Sequence, residues 1–380
     1  MSCSRNITKK NVIFLFAYGL YILSMTLEYT SLQYSFNKGL QIMRYGAYAL
    51  LLLKILLESY YRKKSLVIFG ILLAGTLMQS FVSGLREIFF LLLILYAIYD
   101  VYIEDAVRIQ VYVQMIVLLM VFALCIIGVF ENGEFFDHGR IRYTMGFDYI
   151  NGAGSVFLSS EMGWLFIRDK KLTLWEVLGI LAGWYVIYYF TDFRTMAFVG
   201  AAAVLLCYLV KNWKIRIDKF PFKAVYLAIP VLMTAFTWVL QLYYNGHAVT
   251  KSMQKANAIF NGRLNLAKSA IDQYGLHLFG ERVRWVGNTA NLSRNHYNFV
   301  DCSYIKIAID YGIFIAVLIL ILYCYMFYRL VRENHHTGCI LLSLFMVCAF
   351  MLPVLTGVYY NPLLLLAGGI FYGKTKIHQS

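Results

Sequence analysis

Arg263, Lys268, Arg282, Arg284 and Arg294 stand against Asp272, Glu281 and Asp301 near the end of the only long polar stretch in the chain. A guanidinium donates paired hydrogen bonds to phosphate or carboxylate oxygens and stays charged at any relevant pH. A stretch of this composition suits an anionic ligand. Asp301 and His296 lie at its membrane-proximal end, and both residue types can carry a proton in general acid–base work. A metal route has less support. Glu131, Glu134 and Asp137 are close in sequence but lie among Gly133 and aromatic residues, as in a solvated loop. The histidines show no ligand spacing. The seven cysteines form no CxxC pair, which argues against a disulfide framework or structural zinc. No metal and no cofactor are expected.

The elements that must position these residues are apolar. Of 380 residues, 61% are hydrophobic and 14% charged, with a mean hydropathy of +0.64. A water-soluble domain cannot hide so much apolar surface, so the composition predicts a polytopic membrane protein. Only 4 prolines and as many as 31 tyrosines fit long helices with interfacial anchors. Runs of about 20 apolar residues are long enough to cross a bilayer. They are read at Asn11–Thr30, Gly39–Leu57, Leu66–Ser83, Glu87–Ile103, Ile109–Phe130, Ile150–Ile167, Leu172–Phe190, Thr195–Val210, Lys223–Tyr243, Ser303–Tyr328, Gly338–Leu355 and Tyr359–Tyr372. The expectation is an all-α integral membrane protein of about twelve transmembrane helices, forming one polytopic domain over residues 1–380.

Basic clusters alternate consistently onto one side of these runs. They include Arg62–Lys64, Arg168 with Lys170 and Lys171, Lys211–Lys223, Arg329 with Arg332, and Lys374 with Lys376. Positive loops are retained in the cytoplasm, which places both termini inside. The net charge of +14 is then a topology signal and a contact for anionic lipids rather than a nucleic-acid signal. Three connections face outward: residues 131–149, the tight turn Thr191–Arg194, and the long extracytoplasmic loop 245–302. Within that loop Phe260, Leu264, Ala267, Ile271 and Tyr274 share one helical face, which predicts an amphipathic helix at the membrane surface.

Three outward patches follow one another in a recognisable order. They are Arg142-Tyr-Thr-Met-Gly146-Phe-Asp148-Tyr-Ile-Asn151, then Asp192-Phe-Arg194-Thr195, then the long loop. The loop carries Gly262-Arg263, Phe279-Gly280, Val300-Asp301-Cys302-Ser303-Tyr304 and Asp310-Tyr311-Gly312. In order, sidedness and spacing the chain resembles the O-antigen and capsular-polysaccharide polymerases (Wzy-like), kin to the O-antigen ligases. The resemblance implies a metal-independent glycosyltransferase of the GT-C type in the bacterial cytoplasmic membrane, with its active site on the outer face. It implies undecaprenyl-pyrophosphate-linked oligosaccharides as substrates, and a flippase and a chain-length regulator of the same pathway as partners. Arg142, Arg194 and Arg263 match the arginines of the three patches and would bind the pyrophosphate. The ligase relatives place a histidine where Asp301 stands, and this favours polymerase over ligase.

Plainer roles compete with these. Arg194 beside Asp192 fits a local ion pair at a helix end, which is worth little when exposed. Arg140 accompanies Arg142, and one of the two suits a surface charge. Arg282, Arg284 and Arg294 suit a secondary basic patch. Lys306 and Asp310, four apart, suit an intrahelical pair. The rival activities are an O-antigen ligase and a lipid-linked oligosaccharide flippase.

Overall fold

A computed structural model describes residues 9–58, 61–137, 140–212, 216–246, 250–287 and 297–372. Packing divides the chain into two compact units. One comprises Met1–Gly70, Phe90–Lys214 and Val358–Ser380, the other Ile71–Phe89 and Ile215–Gly357.

The first unit is built on α1 (Lys9–Glu28), α2 (Leu32–Leu57), α5 (Ile103–Ile126), α6 (Gly152–Arg168), α7 (Leu174–Thr191) and α8 (Arg194–Val210). It also holds a β-hairpin of β1 (Glu134–Asp137) and β2 (Arg140–Tyr143), a 3-10 stretch Pro362–Gly368 and the short α15 (Gly369–Tyr372). The helices α3 (Lys63–Ser83) and α4 (Glu87–Ala97) pass from one unit to the other. The second unit contains α9 (Phe222–Gly246), α10 (Lys251–Ile259), α11 (Arg263–Tyr274), α12 (Ser303–Asp310), α13 (Gly312–Arg332) and α14 (His336–Cys348).

Large apolar side chains stay exposed along the long helices, among them Phe16, Ile42, Phe81, Ile116, Trp175 and Leu232. Water would not tolerate so much apolar surface, whereas lipid requires it. The chain is a multi-pass membrane protein. Among the described residues seven helices are long and apolar enough to cross: α1, α2, α3, α5, α7, α9 and α13. This corrects the expectation of about twelve. Apolar composition does not report helix continuity. The run Glu87–Ile103 stays helical only to Ala97, and Gly338–Leu355 only from within α14 to Cys348. Tyr359–Tyr372 is largely 3-10, and Ser303–Tyr328 is broken at Tyr311. The helices α6 and α8 have 17 residues each.

Where the backbone departs from helix, buried side chains satisfy it. In the first unit, Gln110 Nε2 donates to the carbonyls of Val358 (3.0 Å) and Tyr359 (3.1 Å). Gln114 Nε2 and Ser159 Oγ also donate to the Tyr359 carbonyl, at 2.8 and 2.7 Å. In the second unit, Ser303 Oγ donates to Leu352 O (2.5 Å) and accepts from Val354 N (2.7 Å). Irregular backbone survives in an apolar setting only with such partners.

Candidate functional site

The helix α7 opens on a capping box. Thr173 Oγ1 accepts from Glu176 N, and Glu176 Oε2 accepts from Thr173 N. Arg168 pairs with Glu176 at 2.6 Å, so the basic group 168–171 marks this end. Eighteen residues later, about 27 Å along an ideal helix, Asp192 ends α7 in the left-handed conformation (φ 46°). Aspartate tolerates that conformation better than most side chains. The turn is so tight that Arg194 already starts α8.

Three guanidiniums share the Asp192 carboxylate. Arg140 lies at 3.2 Å, Arg194 at 3.3 Å and Arg142 at 3.6 Å. The carboxylate is 12% exposed, while Arg140 and Arg194 are mostly in the open. Burial raises its proton affinity, but hydrogen bonding from Arg194 and the charges of Arg194, Arg140 and Arg142 prevail, and the Asp192 carboxyl sits below its ordinary range. Arg140 and Arg142 are delivered by β2, whose register pairs Phe135 with Arg142 and Phe136 with Ile141. Phe135 packs edge-on against Tyr149, and Tyr143 against Phe190. Beyond the hairpin the chain is tied to the α1–α2 turn. Asp148 N donates to Tyr29 O (2.8 Å), Ser31 N donates to Gly146 O (3.2 Å), and Tyr34 hydroxyl bonds the Asp148 carboxylate. Arg142, Arg194 and Arg140 thus form one group within the first unit.

Arg263 and Asp301 belong to the second unit and meet each other at 3.3 Å. Gly262 turns left-handed before α11, and Arg263 is its first helical residue. A cation there opposes the helix dipole, and Asp301 offsets it. Leu264, Ala267 and Ala270 bury the inner face of α11, while Met253 and Leu264 pack on Tyr244. Burial raises the proton affinity of Asp301, with Arg263 and Lys306 opposing, and the net direction is upward.

A polar group continues from Asp301 into α12. Lys306 pairs with Asp310 at 2.7 Å. Its ammonium lies over the rings of Trp285 (4.1 Å) and Phe299 (4.8 Å). Trp285 Nε1 donates to Asp310 at 2.7 Å, and Tyr311 hydroxyl donates to Glu87 at 2.6 Å. The break between α12 and α13 is closed by the loop. Glu281 N donates to Ile309 O (3.0 Å), while Ile313 N and Phe314 N donate to His277 O (3.0 Å) and Leu278 O (3.1 Å). Gly280 and Gly312, both left-handed, touch through bare backbone; a Cβ on Gly280 would overlap the Asp310 carbonyl.

The structure therefore separates the sequence candidates into two groups. Arg142 and Arg194 gather with Arg140 on Asp192. Arg263 gathers with Asp301. Arg282 and Arg284 are exposed, with Arg282 lying beside Gly84. Arg294 and His296 fall outside the described residues. The sequence assigned one of Arg140 and Arg142 to the surface, whereas both reach Asp192, and it did not show Trp285 as the partner of Asp310. The signal for Arg140 was its two-residue spacing from Arg142, which in a strand directs both side chains to one face. The two groups differ in charge. Three guanidiniums share one carboxylate in the first, an arrangement suited to an anion. In the second, Arg263 and Lys306 stand among Asp301, Asp310 and Glu87, an arrangement suited to holding and moving a proton. Among the described residues no three His, Cys, Asp or Glu side chains gather as a metal ion would need. Comparisons of the chain with protein families, with curated proteins and with solved structures find no match.

Proposed function

We propose that this protein is a polysaccharide polymerase of the bacterial cytoplasmic membrane, with both termini inside and its site on the outer face. It transfers a growing glycan from undecaprenyl pyrophosphate to a fresh lipid-linked repeat unit. The observation that carries this reading is the sharing of Asp192 by Arg140, Arg142 and Arg194 at the end of α7 opposite its basic end. Guanidiniums so gathered match the oxygens of a pyrophosphate and stay charged throughout the reaction.

In the reaction a hydroxyl of the repeat unit attacks the anomeric carbon of the growing chain. A carbon–oxygen bond forms as the bond to pyrophosphate breaks, and the lipid pyrophosphate leaves with the electron pair. Arg142 and Arg194 stabilise that departing charge by donating hydrogen bonds to the pyrophosphate oxygens. Asp301 takes the hydroxyl proton, and its burial favours the protonated product. The test uses purified protein in liposomes with lipid-linked repeat units, and variants with alanine or lysine at Arg142, Arg194 and Arg263. Elongation is expected to fall about a hundredfold in each alanine variant. Normal polymer from well-expressed alanine variants would remove the arginines from the reaction. Translocation without elongation would point to a transporter, and transfer of whole chains to a lipid core would point to a ligase.

A further inference from the structure

We propose that the apolar face of the β1–β2 hairpin rests in the bilayer leaflet at the Asp192 end of α7, and that it holds Arg140 and Arg142, on the opposite face, at the depth of lipid phosphates. The anion that reaches them is then the phosphate end of a lipid moving within the leaflet, not a free phosphate ion in water. This rests on the reading of the arginine group as an anion site and adds the surface that brings the anion there.

The register of the hairpin sorts its side chains. Phe136 stands opposite Ile141 across the ladder, and Phe135 opposite Arg142. Residues directly opposite share a face, and neighbours along a strand alternate. Arg140 and Arg142 therefore occupy one face with Phe135, and both reach Asp192. Phe136 and Ile141 occupy the other with Tyr143. Paired apolar side chains in a small hairpin are expected to be covered, yet Phe136 is 73% exposed and Ile141 52%. The surface around them is lipid-facing. Tyr143 packs against Phe190 in the last turn of α7, where Tyr189 is exposed, with Tyr185 exposed one turn earlier. Exposed tyrosines near the end of a spanning helix mark the headgroup layer. Asp192 lies only about 4.5 Å further along the axis than Tyr189. At the end of α5, Ile126, Ile127 and Val129 carry the exposed apolar surface toward the hairpin. The hairpin thus continues the lipid-facing surface of α5 and α7. Glu134, opposite Tyr143, is exposed and marks where this face returns to water. On the other face, three guanidiniums around one carboxylate leave positive charge in the layer where lipid phosphates lie.

The experiment uses the full-length protein in phosphatidylcholine vesicles, with a fluorescent maleimide on Phe136→Cys or Ile141→Cys and the wild-type labelling subtracted. Ile116→Cys, exposed midway along α5, is the lipid reference, and free dye is the water reference. Two quenchers are compared: iodide on both sides of the membrane, and phosphatidylcholine with a nitroxide high on one acyl chain. The nitroxide should quench both hairpin labels, and iodide should quench them at least about fivefold less than free dye. Iodide quenching equal to that of free dye overturns the proposal. Shielding from both quenchers would show that protein covers the face, and it also overturns the proposal. A second measurement separates the sources of phosphate, comparing binding of undecaprenyl pyrophosphate in the vesicles with that of inorganic pyrophosphate in water. Phe136→Ser/Ile141→Ser should weaken the lipid about tenfold and leave the inorganic ion unchanged. Equal effects on the two, or none on the lipid, would overturn delivery from the leaflet. Failure of the wild-type protein to bind either anion, with lipid quenching intact, would overturn the reading of the arginines and leave the insertion standing.

Discussion

At Asp301 two opposing effects meet, and the residue reports on both. Desolvation disfavours its charge, while Arg263 and Lys306 favour it, and desolvation prevails. Removing either partner of such a pair leaves the other mostly enclosed without its counter-charge. Arg263→Met leaves a carboxylate buried without its nearest cation, and a loss of about 1–3 kcal/mol is expected. Asp301→Asn leaves Arg263, which is no more exposed than Asp301, without its carboxylate, and a loss of similar size is expected. The pH dependence fixes the sign. Because the folded-state proton affinity is raised, the native protein binds more protons than the unfolded chain between the ordinary aspartate value of 3.8 and the raised one. Stability from this group therefore grows as pH falls through that window, and Asp301→Asn should abolish that slope. Thermal unfolding in detergent across pH measures both effects. Unchanged melting in both variants would show that the pair contributes nothing to stability.

Elements place these residues by closing gaps in the helices, and the break at Tyr311 depends on two glycines. The segment His277–Glu281 supplies carbonyls to the first amides of α13 and an amide to the end of α12. Both Gly280 (φ 81°) and Gly312 (φ 89°) adopt a conformation that a side chain resists, and each would drive a Cβ into the other strand of backbone. Gly280→Ala and Gly312→Ala are each expected to destabilise by at least about 2 kcal/mol. Gly179→Ala, in a helix with nothing near the new methyl, should be neutral or stabilising. Faster hydrogen exchange at Ile313 and Phe314 should accompany the loss in the first two. Unchanged melting in both would show that the loop does not close the break. Both motifs were visible in sequence, as Phe279-Gly280 and Asp310-Tyr311-Gly312, but their contact was not. A glycine advertises a special backbone without naming what approaches it. The inner face of α11 was legible because Leu264 and Ala267 repeat at helical spacing. The pairing of Arg263 with Asp301 was not, because no local pattern links residues 38 apart.

For the molecule as a whole, apolarity settled the solvent and left the number of crossings open. Hydropathy responds equally to a side chain facing lipid and to one buried by its neighbours. Phe198 and Leu209 on α8 face outward, whereas the residues from Leu363 to Ala367 are wholly enclosed, and both stretches read as spans in the sequence. The helix α7 carries basic residues at both ends, so its sidedness is a matter for measurement. Its first turn follows Arg168, Lys170 and Lys171, and its last meets Asp192 and the three arginines bound to it. At 18 residues and about 27 Å it is long enough to put these groups on opposite faces of a bilayer core. The proposed orientation puts the end at Arg168, Lys170 and Lys171 in the cytoplasm. Cysteine introduced as Lys171→Cys should then react with a membrane-impermeant maleimide only after the cells are opened. Phe193→Cys should react in intact cells. Cys207, Cys302, Cys339 and Cys348 are buried and should contribute little background. Labelling of both positions only in opened cells would mean that α7 does not cross and that the arginines at its end cannot serve a reaction on the outer face. Labelling with the sides exchanged would put the same arginines in the cytoplasm, where lipid-linked glycan is assembled rather than polymerised, and the proposed reaction would lose its site.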